Sequence, residues 1–206
     1  MKTRIAVLVS GGGTNLQALI DAQGRGEIPD GEIVLVVSNN PDAYALRRAK
    51  DAGIETAVCT KPDLEAKILE TLEGHNIEMI VLAGFMAILS KDFVSRYPER
   101  IINIHPSLIP SFCGEGFYGL HVHEAALNYG VKVTGATVHY VNEIPDGGRI
   151  IAQKAVDIRE DDTPEILQRR VMEQAEWFLL PRATEIVAKR IAEAKENGNC
   201  SVPSIN

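Results

Sequence analysis

Cysteine is scarce in this 206-residue chain: there are three, Cys59, Cys113 and Cys200. An odd number so widely spaced offers no CxxC redox or zinc pair and fits a reducing cytoplasm. Basic charge is also short. Lys and Arg total 21 against 28 Asp and Glu, a net charge of −7, so the chain carries no electrostatic footprint for nucleic acid or an anionic membrane. Any phosphate it takes must be held locally. Long apolar runs are missing as well: the longest, Met79 to Leu89, is about half of the roughly 20 residues that a membrane-spanning helix needs. The start, MKTRIAVLVSGGG, has two basic residues and then apolar ones, as a secretory signal would. Only Ile5 to Val9 precede the glycines, however, which reads as a first strand. These lacks predict a soluble, cytoplasmic protein without a nucleic-acid or membrane partner.

With 45% apolar and 24% charged residues, the composition is that of a globular protein able to bury a sizeable core. The length predicts one domain, taken as residues 1–195, with 196–206 as a disordered tail. Ile5 to Val9 is a β-branched run closed by glycines, followed by helical spacing at Leu16, Leu19 and Ile20 up to Gly24 and Gly26. That unit repeats. Ile33 to Val37 reads as a strand, Ala43 to Ala52 as a helix, Ala57 to Cys59 as a strand, Leu64 to Leu72 as a helix and Met79 to Ala83 as the strongest strand. A short helix, Lys91 to Tyr97, precedes the strand Ile101 to Ile104. Leu120 to Tyr129 is a helix, Val133 to Val141 and Ile150 to Ile158 an antiparallel pair, and Pro164 to Ala194 helical with a kink or break at Pro181. Alternating strands and helices imply right-handed crossovers. The fold class is therefore α/β: one doubly wound, Rossmann-like, mostly parallel sheet with an antiparallel pair late in the chain.

Ser10 to Asn15 follows the first strand and opens a helix, where unpaired N–H groups and the helix dipole receive anions. A dinucleotide fingerprint fails here, because Leu16 takes the third glycine position and the second strand ends in Ser38-Asn39-Asn40 without a carboxylate. No Gly-Lys-Ser/Thr follows either, which excludes a Walker loop. A terminal monophosphate remains, beside the plainer alternative of a tight strand-to-helix turn.

Asn103 and His105 alternate with Ile102 and Ile104, so both side chains leave the same face at the carboxyl end of a strand. His105-Pro106-Ser107-Leu108-Ile109-Pro110 follows, and its two prolines forbid regular pairing and make a stiff loop at that end, where ligands of open α/β sheets bind. A lone histidine there is as readily structural as catalytic. Asp146-Gly147-Gly148, in the turn between the two late strands, is either a plain Asp-Gly turn or an accessible carboxylate. Together the three suggest acyl-type chemistry without a covalent nucleophile, since no GxSxG elbow is present. A carboxylate beside an imidazole is expected to raise its pKa, and an amide can donate to a developing oxyanion.

SGGGTNLQALI, VLAGFMAIL, NIHPSLIP and GATVHYVNEIPDGGRII, in this order across about residues 4 to 181, resemble the phosphoribosylglycinamide formyltransferases of de novo purine synthesis. The resemblance implies transfer of a formyl group from 10-formyltetrahydrofolate, as co-substrate, to the amine of glycinamide ribonucleotide, with no metal, in a monomer or homodimer. It implies that Gly13, Thr14 and Asn15 hold the phosphate, that Glu176 meets the ribose, and that Asn103, His105 and Asp146 carry the chemistry. Met86, Ala87, Ile88, Leu89 and Asn103 would contact folate, Lys61 its glutamate tail, while Thr137 and His139 support the site.

Two departures stand out. Ala87 takes a position where many members carry Arg, and Ser111 to Leu120 is longer than the usual connection. Phe112, Phe117 and Tyr118 in that segment either lid the pocket or cover the core edge, and the Ile109-Pro110 bond is trans by default, with cis left open. Among rivals, a formyltetrahydrofolate deformylase is expected to carry an N-terminal regulatory domain. A transfer-RNA formyltransferase is expected to carry a basic C-terminal one. A metal hydrolase using His121, His123, His105 and His139 lacks a companion carboxylate motif.

Overall fold

The computed structural model describes residues 1–198. Its sheet contains β1 (Thr3–Val9), β2 (Gly31–Ser38), β3 (Glu55–Val58), β4 (Met79–Leu82), β5 (Ile101–His105), β6 (Val133–Tyr140) and β7 (Ile150–Asp157). They lie in the order β3-β2-β1-β4-β5-β6-β7. The first five pair in parallel, and β6 and β7 add antiparallel to β5. Between them run α1 (Thr14–Gly24), α2 (Tyr44–Asp51), α3 (Leu64–Gly74), α4 (Lys91–Ser95) and α5 (Leu120–Tyr129), followed by α6 (Pro164–Val171) and α7 (Trp177–Glu196). The expected α/β class and its late antiparallel pair are both observed.

Period-two alternation divides the strands between two cores. Ile5, Val7, Val9, Met79 and Val81 pack on one face with residues of α1, α2 and α7. Ala6, Leu8, Ile80 and Leu82 pack on the other with α3 and α4. A sheet buried on both faces explains why β1 and β4 are continuous apolar runs. The chain winds outward from β1 through β2 to β3 and returns to β4, so the crevice between β1 and β4 is the topological switch point. Asn103 and His105 share a face with Ile101, which belongs to the α3 and α4 core.

Two local expectations need correction, and one question left open is answered. Pro181 does not break α7, and the irregularity lies upstream, where Met172–Glu176 forms a π-helical stretch. Pro181 lies one turn into α7, so its missing N–H forgoes only the bond to the Trp177 carbonyl and the helix continues. Helical structure reaches Glu196, one residue into the expected tail, and the remainder of that tail from 199 onward lies outside the described residues. Ile109-Pro110 is cis, as is Lys61-Pro62.

The close β6–β7 pairing depends on a residue without a side chain. A Cβ on Gly135 would lie 2.0 Å from the Lys154 carbonyl oxygen and 2.9 Å from Leu108 Cδ2. Backbone cannot yield as a flexible side chain would. Gly135→Ala is expected to lower stability by about 1–3 kcal/mol, the usual range for overpacking, measured as a lower urea midpoint with an unchanged m-value.

Candidate functional site

The antiparallel join of β6 to β5 assembles the polar residues. Asn103 lies directly opposite His139, and His105 opposite Thr137, so all four project from one face. Asn103 Nδ2 donates to His139 Nε2 at 3.2 Å and to Asp146 Oδ1 at 3.4 Å. His139 Nδ1 donates to the Tyr140 carbonyl at 2.8 Å, which leaves Nε2 as the acceptor in the neutral ring. Asp146 Oδ2 lies 3.4 Å from His105 Nδ1, and Oδ1 lies 3.5 Å from His139 Nε2. One carboxylate therefore faces two imidazoles and an amide.

Backbone geometry holds Asp146 in place. It adopts φ 54°, a left-handed conformation that Asp tolerates better than most residues. A Cβ on Gly148 would fall 1.6 Å from the Tyr140 carbonyl oxygen, and one on Gly147 2.7 Å from Ile144. Gly148 thus permits close approach of the turn to β6 and Gly147 the folding of the turn on itself, a reason beyond the accessibility expected from the sequence. Gly114 N–H completes the carboxylate's partners, donating to Oδ2 at 2.9 Å.

The electrostatics of His105 reverse the expected direction. Burial pulls its pKa below the ordinary 6.5, outweighing Asp146 and the Phe112 carbonyl, which both raise it, while His139 pulls down further. The carboxylate acts as anticipated, yet desolvation of the imidazolium is the larger effect. Burial pushes Asp146 up, but the adjacent His139 ring, the nearby His105 and the Gly114 N–H bring it below the usual carboxylate value.

These groups line a cavity of about 760 Å³, shared with Met86, Ala87, Ile88 and Leu89 on the β4–α4 loop and with Asn15 and Glu176. Met86 and Ile88 are exposed at the mouth, whereas Leu89 is buried. Thr137 lies behind the wall: its hydroxyl donates to Ser107 O at 2.7 Å and accepts from Ile109 N–H and Gln153, fixing the double-proline turn. Lys61 is exposed and is not part of the cavity wall.

At the other end, Gly13 caps α1 at φ 72°, and a Cβ there would lie 2.6 Å from Ala45 Cβ. Only glycine fits this close packing against α2. The N–H groups of Gly11, Gly12 and Gly13 make no hydrogen bond among the described residues. Thr14 Oγ1 meets Met172 Sδ at 3.7 Å, and Asn15 Nδ2 donates to Glu176 Oε2 at 2.6 Å. Asn15 Oδ1 is buried without a partner among the described residues. Glu176 is buried within the π-helical stretch, and burial drives its pKa up to about 7 against the hydrogen bond from Asn15.

Arg48 escaped the sequence reading, and Ser10, read there only as part of the anion-receiving turn, makes a further contact. Arg48 on α2 clamps the glycine turn, Nε donating to Gly12 O at 2.8 Å and Nη1 to Gln17 Oε1 at 3.1 Å. Ser10 Oγ accepts from Met86 N–H at 2.8 Å, tying the loop after β1 to the loop after β4. Neither contact carries a sequence signal, because each joins separate units of the fold. His121 and His123, considered as a metal pair, diverge: His121 is half exposed beside Glu124 at 3.0 Å, while His123 is fully buried in the cavity wall. Among the described residues no group of three or more His, Cys, Asp or Glu is placed to hold a metal.

Residues 3–184 match the formyl transferase family model. The chain belongs to the formyl transferase family. It is 40% identical over 200 residues to the phosphoribosylglycinamide formyltransferase of Haemophilus influenzae, covering 94% of this chain and 91% of that protein. To the human trifunctional purine biosynthetic protein adenosine-3 it is 42% identical over 203 residues, which is 96% of this chain and 19% of the relative. It thus spans about a fifth of the length of the trifunctional relatives it matches. Among solved structures, the phosphoribosylglycinamide formyltransferase of Brucella melitensis superimposes with a TM-score of 0.82 at 41% identity, covering 91% of this formyl transferase chain and 96% of that one.

The raised pKa of Glu176 gives a signed expectation. An acid whose folded pKa lies above its unfolded value contributes stability that is present below about 4.5 and is lost as pH rises through about 7. Glu176→Gln keeps an acceptor for Asn15 without the ionisation. From pH 5 to pH 8, wild type is expected to lose about 2–3 kcal/mol relative to Glu176→Gln, from about 1.4 kcal/mol per pKa unit, measured by denaturant unfolding of the free protein at each pH.

Proposed function

We propose that this formyl transferase moves the formyl group of 10-formyltetrahydrofolate to the amine of glycinamide ribonucleotide, giving formylglycinamide ribonucleotide and tetrahydrofolate in de novo purine synthesis. The observation that carries this reading is the meeting of Asn103, His105 and Asp146 in one cavity that also reaches Asn15, at the start of α1 just after the glycine turn, and Glu176.

The ends of the cavity suit different substrates. Free N–H groups at Gly11 to Gly13 and the start of α1 suit a terminal phosphate. Glu176 and the unpartnered Asn15 Oδ1 supply acceptors for ribose hydroxyls. The apolar side chains and backbone of Met86 to Leu89 suit the flat pterin of folate. Lys61, exposed beyond the wall, is assigned to the flexible glutamate tail on the resemblance alone. The scarcity of cysteine supports a cytoplasmic setting.

In the reaction the amine nitrogen adds to the formyl carbon, the carbon's bond to the folate nitrogen then breaks, and the proton lost by the amine ends on that nitrogen. Asn103 Nδ2, whose longer contact is the one to Asp146 at 3.4 Å, gives up that contact to donate to the oxygen as it gains negative charge. His105, when protonated, places a positive charge beside that oxygen, and water carries the proton on to the leaving nitrogen. Asp146 supports the imidazolium against burial, and His139 and Thr137 hold the amide and the double-proline turn. Holding both substrates in one cavity contributes the proximity that a direct transfer needs.

Folate product formation, followed by absorbance, is expected to require glycinamide ribonucleotide. Product formed equally without it would replace this reading with formyltetrahydrofolate deformylation. His105→Ala and Asp146→Ala are each expected to lower turnover by at least roughly a hundredfold with the fold retained by circular dichroism, and near-normal rates in both would withdraw the assignments.

A further inference from the structure

The segment after the double-proline loop reaches into the site with its backbone. His105 Nε2 donates to the Phe112 carbonyl at 2.8 Å, and Gly114 N–H donates to Asp146 Oδ2 at 2.9 Å. Two consecutive peptide groups, on either side of Cys113, therefore hold both members of the imidazole–carboxylate pair. Since a carbonyl only accepts, Nε2 must carry a proton, and Nδ1 is the nitrogen left to gain or lose one beside Asp146.

Local geometry shows how this arrangement is kept. Phe112 adopts φ 49°, an unfavourable conformation for a bulky residue, sustained only where the surroundings over-determine it. Its ring packs edge-on against Phe117 at 6.3 Å and Tyr129 at 6.0 Å between centroids. Ser107 Oγ donates to Ser111 O at 2.6 Å, fixing the residue just before. Tyr129 lies at the end of α5, 80% exposed and outside the cavity wall.

We infer that Phe112 and Tyr129 are positioning residues: their aromatic contact sets the Phe112 carbonyl that fixes the His105 ring and, through the same segment, the Gly114 N–H that fixes Asp146. This inference rests on the proposed roles of His105 and Asp146. The titratable groups facing His105 are Asp146 from the β6–β7 turn, His139 on β6 and His123 on α5, with the Cys113 thiol facing Asp146. The Phe112 carbonyl favours the imidazolium. Loosening it would move protonation of His105 to lower pH.

The test uses the full chain and the formyl-transfer assay, comparing wild type, Tyr129→Ala, Phe112→Ala and Tyr129→Phe. Turnover of wild type reports on the function itself, so its absence would reject that reading independently of the variants. Tyr129→Ala and Phe112→Ala are expected to lower kcat roughly ten- to a hundredfold, the range for a misplaced catalytic group, with KM for glycinamide ribonucleotide changed less than about threefold. The limb of the pH–rate profile that reports His105 is expected to shift to lower pH, and Tyr129→Phe, which keeps the ring, to restore both rate and profile. Rates within about twofold of wild type in both alanine variants would overturn the inference. So would a fall in rate with an unmoved pH limb, because lost folding stability alone would produce that.

Discussion

If β6 slipped by one residue against β5, Thr137 and His139 would turn to the opposite face and leave Asn103 and His105 opposite apolar side chains. The register Asn103↔His139 and His105↔Thr137 is thus the constraint on which the rest of the site depends. Burial enforces it. Ala136, Val138 and Tyr140 alternate with those polar residues and belong to the core shared with α7, so a slip would place these three apolar side chains in the cavity wall and Thr137 and His139 in the core. The same hydrophobic pattern that stabilises the sheet aligns the chemistry.

At His105 two effects oppose each other, and burial wins in the free protein. Asp146 can still be the decisive partner during reaction. A negative charge growing on a substrate oxygen in the cavity would add to the carboxylate's pull on the imidazolium, and in a poorly solvated site such charges interact more strongly than in water. Asp146 meanwhile is fully committed, with His139, His105 and Gly114 N–H around it, and a carboxylate so engaged remains ionised. A neutral imidazole beside a fixed anion is poised to become charged only when substrate charge joins it.

The opposite end follows another logic. Gly12 and Gly13 are held from outside by Arg48 and by close approach to Ala45, so their N–H groups stay pointed away from the protein's own acceptors. Glu176 sits where a π-helical stretch brings its carboxyl against Asn15. Departures from regular helix gather at functional positions because they re-aim a side chain without unfolding the element. The preference of buried Glu176 for its protonated form makes that end of the cavity less anionic than the sequence charge suggests.

By itself the sequence determined the order and kind of the elements. Apolar periods of two and 3.6, with glycine closures, marked β1 through α3 to within a few residues, and the run of residues with two prolines marked a stiff loop after β5. Local spacing and turn chemistry carry that information. It also determined that Asn103 and His105 share a face, and its family resemblance named the remaining candidates. Only the tertiary structure decided the strand order, the direction of the His105 shift, the shared carboxylate of Asp146, and the roles of Arg48, Ser10, Phe112 and Gly114. Each of these depends on contacts between residues far apart in the chain, or on how much water a packed core excludes. Periodicity records which way a side chain points; desolvation and cross-element hydrogen bonds exist only once the layers have closed on one another.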